Sequence, residues 1–207
     1  MTGVELGLLL VAWAVAGASP GPATLAIAGT SMERGRAAGL AVAAGIVCGS
    51  ASWGVAAALG MSALMLANAW LVEILRYAGA AYLMYLGIKA LRSGLSNKPL
   101  ASVQAKRGGL RSIYLKGLLL HLTNPKAIFS WGAIFAIAVP PGSDMWVVWE
   151  TFAALFVVSN LVFFGYALLF STAAFIRGYQ RMRRWFEISF GLMFGFAGLK
   201  ILTARLT

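Results

Sequence analysis

Apolar residues along this chain gather in six long runs, at roughly 4–32, 37–66, 71–91, 113–139, 146–176 and 185–204. Each reaches the ~20 residues that a transmembrane helix needs. Several are longer still, which implies tilt, kinks or helical extensions beyond the hydrocarbon. Two runs are interrupted from within: Ser19-Pro20-Gly21-Pro22 lies inside the first, and Thr123-Asn124-Pro125-Lys126 inside the fourth. Proline has no backbone donor and its ring clashes with the carbonyl four residues back. Both runs therefore predict broken helices, whose freed carbonyls and new N-termini need partners inside a membrane. Asn124-Pro125 reads as a helix start in its own right, with Asn as N-cap and Pro at the first helical position. Ser19-Pro20 has the same form.

Polar residues divide the chain once. A Ser, Asn, Lys, Pro and Gly stretch separates 1–95 from 113–207, leaving 96–112 as a linker between two sets of three spans. An odd number of spans per half inverts the second half relative to the first. Gly87-Ile88-Lys89-Ala90-Leu91 near the end of span three matches Gly198-Leu199-Lys200-Ile201-Leu202 near the end of span six, and Pro20 and Pro125 fall at matching depths. The expected fold is an all-α integral membrane protein of six transmembrane helices, two inverted three-helix repeats with helices 1 and 4 broken.

Composition agrees. The chain is 60% hydrophobic and 11% charged, with a mean hydropathy of +0.82, where a soluble domain carries about a quarter charged residues. A net charge of +11 raises the question of nucleic acid, but the basic residues flank apolar runs and do not stripe one helix face. They read as topology signals facing anionic lipid. Apart from Arg76, Lys126, Lys200 and Arg205, the Lys and Arg residues (13 of 17) lie in the first, third and fifth connections or at their edges. Those connections are then cytoplasmic and both termini external. The rival reading of the N-terminus is a cleavable signal with Ala16-Gly17-Ala18 as its cleavage site; Met1 to Glu5 carry no positive residue, and the apolar run resumes after Pro22.

The chemistry follows from depth. At about 1.5 Å per residue, Pro20 lies about 21 Å from Arg34, and Lys126 about 15 Å from Lys116. Both breaks are near the midplane. Each aims amides and a partial positive charge at the bilayer centre, a site suited to a carboxylate capped at Ala23-Thr24 and Lys126-Ala127. Lys126 brings a full charge at a cost of about 2.5–3.5 kcal/mol. It either pairs with a substrate carboxylate or satisfies carbonyls freed by the first break. His121, the single histidine, lies one turn before Asn124 and is a candidate for proton coupling, against a bland interfacial role. No Asp or Glu lies deep in a run, so neither a carboxylate relay nor a counter-ion for a cationic side chain is visible. A neutral zwitterion or an acid is the expected cargo. Of the deeper tryptophans Trp13, Trp53 and Trp131, Trp131 could face a substrate ammonium, and packing is the alternative. Gly45 and Gly49 form a GxxxG, read as close helix packing with a homodimer interface as a second possibility. One cysteine, Cys48, permits neither an internal disulfide nor a CxxC pair.

Together, Pro20-Gly21-Pro22, the glycines at 35, 39, 45 and 49, the Tyr77-Ala78-Gly79-Ala80-Ala81-Tyr82-Leu83-Met84-Tyr85-Leu86-Gly87 run and Asn124-Pro125-Lys126 resemble the LysE/RhtB family of amino-acid exporters, in order and spacing over most of the chain. The resemblance implies a bacterial inner-membrane exporter of amino acids or small derivatives, driven by protons, with lipid as its surroundings and no cofactor, metal or nucleic acid. The resemblance implies that broken helices in spans one and four form the path, and the two breaks with Trp131 give the substrate-binding set Ser19, Pro20, Gly21, Pro22, Ala23, Thr24, Asn124, Pro125, Lys126 and Trp131. Members often carry Asn or Asp after Pro-Gly-Pro; here that position is Ala23, with Thr24 as the nearest polar replacement. The alternative from another class is a non-transporting membrane subunit whose prolines are packing kinks. No catalytic dyad points to an enzyme, no charged ring or filter loop to a channel, and one His with one Cys argues against a metal exporter or a thiol–disulfide carrier.

Overall fold

The computed structural model describes residues 3–67, 77, 80–81, 84–85, 87–92, 94–95, 109–139 and 143–203. Among them are six helical elements and no strand: α1 (Gly3–Ala18), α2 (Pro22–Ala67), α3 (Leu110–Leu122), α4 (Pro125–Ala138), α5 (Met145–Leu169) and α6 (Ala173–Thr203). Most of span three, Trp70 and the 96–108 part of the linker lie outside the described residues.

Both predicted interruptions are present, between α1 and α2 and between α3 and α4. The second follows the predicted chemistry: the Asn124 side chain accepts from the Lys126 amide at 3.1 Å, and Pro125 is the first helical residue. The first does not start at Pro20. Ser19-Pro20-Gly21 stays non-helical and α2 begins at Pro22. Gly21 is the cap, and its amide donates to the Thr24 hydroxyl at 2.9 Å, the half of a capping box that reaches back. Pro22 and not Pro20 takes the first helical position because Pro22 disfavours the α conformation at the residue before it, Gly21, so a helix started at Pro20 would break at its second residue.

Two spans run through α2. Gly35 breaks it with φ 77° and ψ −174°, a conformation essentially confined to glycine. The arms fold back: a Cβ on Gly39 would lie 3.3 Å from the Ser31 Cα. Arg34 and Arg36 flank this reversal, as the charge pattern expects. Near the other end, the fifth run stops at Leu169, short of the expected 176, and Ala173–Thr203 is one continuous helix. Arg177, Arg181, Arg183 and Arg184 therefore ride on the first turns of α6; no loop holds them.

The glycines of α2 pack within the chain. Cβ atoms on Gly45 and Gly49 would lie 2.0 Å from the Tyr114 carbonyl oxygen and 2.9 Å from the His121 Cβ, and one on Gly117 would lie 2.4 Å from the Val42 carbonyl oxygen. The GxxxG motif thus seats α3 against α2 and is not the dimer surface it could have been.

Burial differs from that of a soluble protein at both the surface and the interior. Leu8, Val11, Val157, Leu161, Leu192 and Phe196 are exposed, whereas Ser19, Thr24, Ser50, His121, Asn124 and Ser159 are buried, the arrangement lipid demands. One apolar cluster centres on Trp13, Trp131, Phe135 and Leu155. A second centres on Ile27, Val42, Ile46, Ile113 and Phe163. The expectation of no buried carboxylate is corrected at Glu187, which sits near the start of the sixth apolar run but is fully buried, with its Cβ against Gly94.

Candidate functional site

Where the two breaks meet, the backbone has to be satisfied without water. It is, largely by side chains. Tyr166 donates its hydroxyl to the Ala18 carbonyl at 2.5 Å, and Ser19 Oγ donates to the Ala16 carbonyl at 3.0 Å. The Trp53 indole reaches the Leu122 carbonyl at 3.2 Å, and the Thr123 hydroxyl bonds back to the Leu119 carbonyl at 2.9 Å. Lys126 crosses from the second break to the first: its Nζ donates to the Ser19 carbonyl at 3.0 Å and also bonds Ser19 Oγ. Of the two roles open to Lys126, this conformation displays the tie to the first break. An ammonium has three donors, so one remains after Ser19.

The amides expected to cap a carboxylate divide unequally. Lys126 and Ala127 give theirs to Asn124, to its side-chain Oδ1 at 3.1 Å and its carbonyl at 3.0 Å. The α4 N-terminus is therefore self-capped, which corrects the expectation that it offers these amides to a ligand. At the start of α2 the bonds seen are those of Gly21 to Thr24 and of Leu25 to the Gly21 carbonyl, leaving the Ala23 and Thr24 amides facing the break.

A cavity of about 40 Å³ opens between the two apolar clusters, with room for about three water-sized groups. Of the residues predicted from sequence, Gly21, Ala23, Thr24, His121, Asn124, Lys126 and Trp131 line it. Ser19, Pro20, Pro22 and Pro125 do not; they shape the backbone around it. Gly21 is open to Lys126, whose Nζ would lie 3.4 Å from a Cβ there. Trp131 is both wall and core: 1% exposed, it donates to Ser50 Oγ at 3.0 Å and meets Trp13 edge-on at 4.6 Å between centroids. Sequence reasoning missed Ser50, Ser130, Ser159 and Phe163, all of which line the cavity. Ser159 was signalled, since Ser159-Asn160 is a polar pair in the middle of an apolar run; it accepts the Trp13 indole at 2.9 Å. Among the described residues the lining includes Lys126 and His121 and no carboxylate.

The chain matches the family described as LysE type translocator over residues 14–205. It is 33% identical over 191 residues to the threonine efflux protein of Escherichia coli, covering 90% of this chain and 92% of that one. It is 36% identical over 199 residues to an uncharacterized membrane protein of Pseudomonas aeruginosa, covering 91% and 90%. Over 116 residues it is 37% identical to the leucine efflux protein of Salmonella choleraesuis, covering 56% and 54%. No solved structure matches it significantly.

Proposed function

Because the chain belongs to the LysE type translocator family, a family of transporters and not of enzymes, we propose that it exports neutral amino acids from the cytoplasm across the bacterial inner membrane. Relatives named for threonine and for leucine efflux support the substrate class. The observation that carries the reading is Lys126, a cation strung between two helix breaks beside a cavity whose lining holds no carboxylate. Its third N–H and the Ala23 and Thr24 amides take the substrate carboxylate, where the α2 dipole adds to the attraction. The ammonium sits toward the indole faces of Trp13 and Trp131. With no acidic partner in the lining, a second positive charge on the substrate is disfavoured.

Transport proceeds by alternating access. The halves 1–95 and 113–207, joined by 96–112, act as inverted repeats of three spans each, and they rock about the cavity. The carboxylate takes the third N–H of Lys126 and draws the ammonium away from Ser19, so arrival of substrate loosens the tie between the two breaks. Protons drive the cycle, and the titratable groups at hand in the lining are His121 and Lys126.

Proteoliposomes loaded with labelled amino acids, with and without an imposed pH gradient, test this directly. Gradient-dependent efflux of neutral amino acids is expected, and Lys126→Gln reduces it at least about tenfold, the scale of one lost charge-assisted hydrogen bond. Efflux of lysine or arginine alone overturns the charge argument. Wild-type rates from a folded Lys126→Gln protein remove Lys126 from the site.

A further inference from the structure

We infer that the buried His121 Nδ1 and Ser130 Oγ form a subsite for a hydroxyl on the exported amino acid's side chain. The inference rests on the export reading above and narrows it, from neutral amino acids in general to those whose side chain can donate and accept a hydrogen bond.

Almost every polar side chain around the cavity is already engaged. Thr24 and Asn124 close their helix starts, Ser50 takes the Trp131 indole, and Ser159 takes that of Trp13. His121 and Ser130 differ. Both line the cavity, yet His121 Nδ1 and Ser130 Oγ are buried and have no hydrogen-bond partner among the described residues. His121 is only 4% exposed. A buried polar atom without a partner is costly, and such atoms in a native protein call for an explanation. The other hydroxyls in that condition, Thr30 and Ser31, lie beside the Gly35 reversal and not at the cavity.

Position fits the assignment. Ser130 follows Lys126 by four residues on α4, so it shares that face, about 6 Å further along the axis. A carboxylate at Lys126 therefore leaves the side chain pointing along α4 toward Ser130. His121 approaches from α3, held edge-on to Phe163 with 5.6 Å between centroids and admitted by the bare backbone of Gly49. The apolar surface beside them, from Val162, Phe163 and Ala127, suits a methyl group. A hydroxyl is a donor and an acceptor at once, and an imidazole nitrogen with a serine hydroxyl can serve both functions. An apolar substrate of the same shape leaves both groups unpaired. A site built to bond a hydroxyl rejects the isostere that lacks one far more strongly than an apolar pocket can reject an added hydroxyl.

Threonine and valine, near-isosteres, are the probes. Wild-type proteoliposomes loaded with each at equal concentration are expected to release threonine at least about tenfold faster than valine. Ser130→Ala and His121→Phe, each first shown to be monodisperse in detergent, should bring that ratio within about threefold; Ser130→Ala does so chiefly by slowing threonine, and for His121→Phe the ratio is read whatever the common rate becomes. Either variant alone decides the matter if the other does not fold. A wild-type ratio near one overturns the inference, as does a ratio that neither substitution moves, which is the result if a trapped water serves the two groups. Both of those leave the export proposal standing. Release of neither amino acid overturns the export proposal and this inference together.

Discussion

Lys126, Trp53 and Asn124 show how a single side chain lets a polar break exist in an apolar setting. The ends of α1 and α3 leave carbonyls that lipid cannot answer, and three at the breaks, those of Ala18, Leu122 and Ser19, draw donors from elsewhere in the chain: Tyr166, Trp53 and Lys126. Trp53→Phe preserves the apolar packing but strands the Leu122 carbonyl. The expected loss is about 1–3 kcal/mol, read as an unfolding midpoint in detergent lowered by a few degrees; an unchanged midpoint would show that the indole bond contributes nothing. At this scale the sequence was legible where the chemistry is local. Asn124 as cap depends on residues two apart, and it formed as expected. Ser19 as cap failed because two prolines compete for one helix start, and Pro22 takes it.

Between elements, glycine sets the distances. α3 lies so close to α2 that carbonyl oxygens of one occupy the space of side chains on the other, at Gly45 and Gly117. This approach is what brings His121 to the cavity. Gly45→Val forces the helices apart, with an expected cost of at least about 1–3 kcal/mol from overpacking and loss of the proposed amino-acid export in the proteoliposome assay. Normal export and stability from that variant would mean that α3 can reseat. Gly35 matters for conformation and not for space: nothing lies within 4 Å of a Cβ there. Gly35→Ala still strains the reversal, by about 1–3 kcal/mol, visible as a lower midpoint in the same thermal scan. The glycine spacing was plain in the sequence. Which neighbour it served was not, because a GxxxG looks the same whether it meets a helix of its own chain or of another.

Charge acts over the whole molecule. With Arg36 and Arg181 on the cytoplasmic side, the proposed topology puts Asp144, at the start of α5, outside. In a Cys48→Ser background, a membrane-impermeant maleimide on intact cells should label Asp144→Cys, and label Arg36→Cys or Arg181→Cys only after permeabilisation. The opposite pattern overturns both the topology and the direction of export argued from it. The short α1 and α4, of 16 and 14 residues, span about 24 and 21 Å. Neither crosses about 30 Å of hydrocarbon alone, so each must be continued through its break.

The sequence by itself determined the class of protein, the two breaks and the residues flanking them. Length of apolar runs and proline's missing donor act within one segment or against the bilayer, so linear order suffices to read them. Only the tertiary structure decided what meets at the breaks. Ser19 and Lys126 are 107 residues apart, Trp13 and Ser159 are 146 apart, and Glu187 is buried by neighbours no local pattern announces. Pairings of that kind depend on how whole helices approach one another. The same approach left His121 and Ser130 in the cavity wall with a buried polar atom each that no described residue pairs, and serine in a membrane helix is too common for its position alone to have marked it.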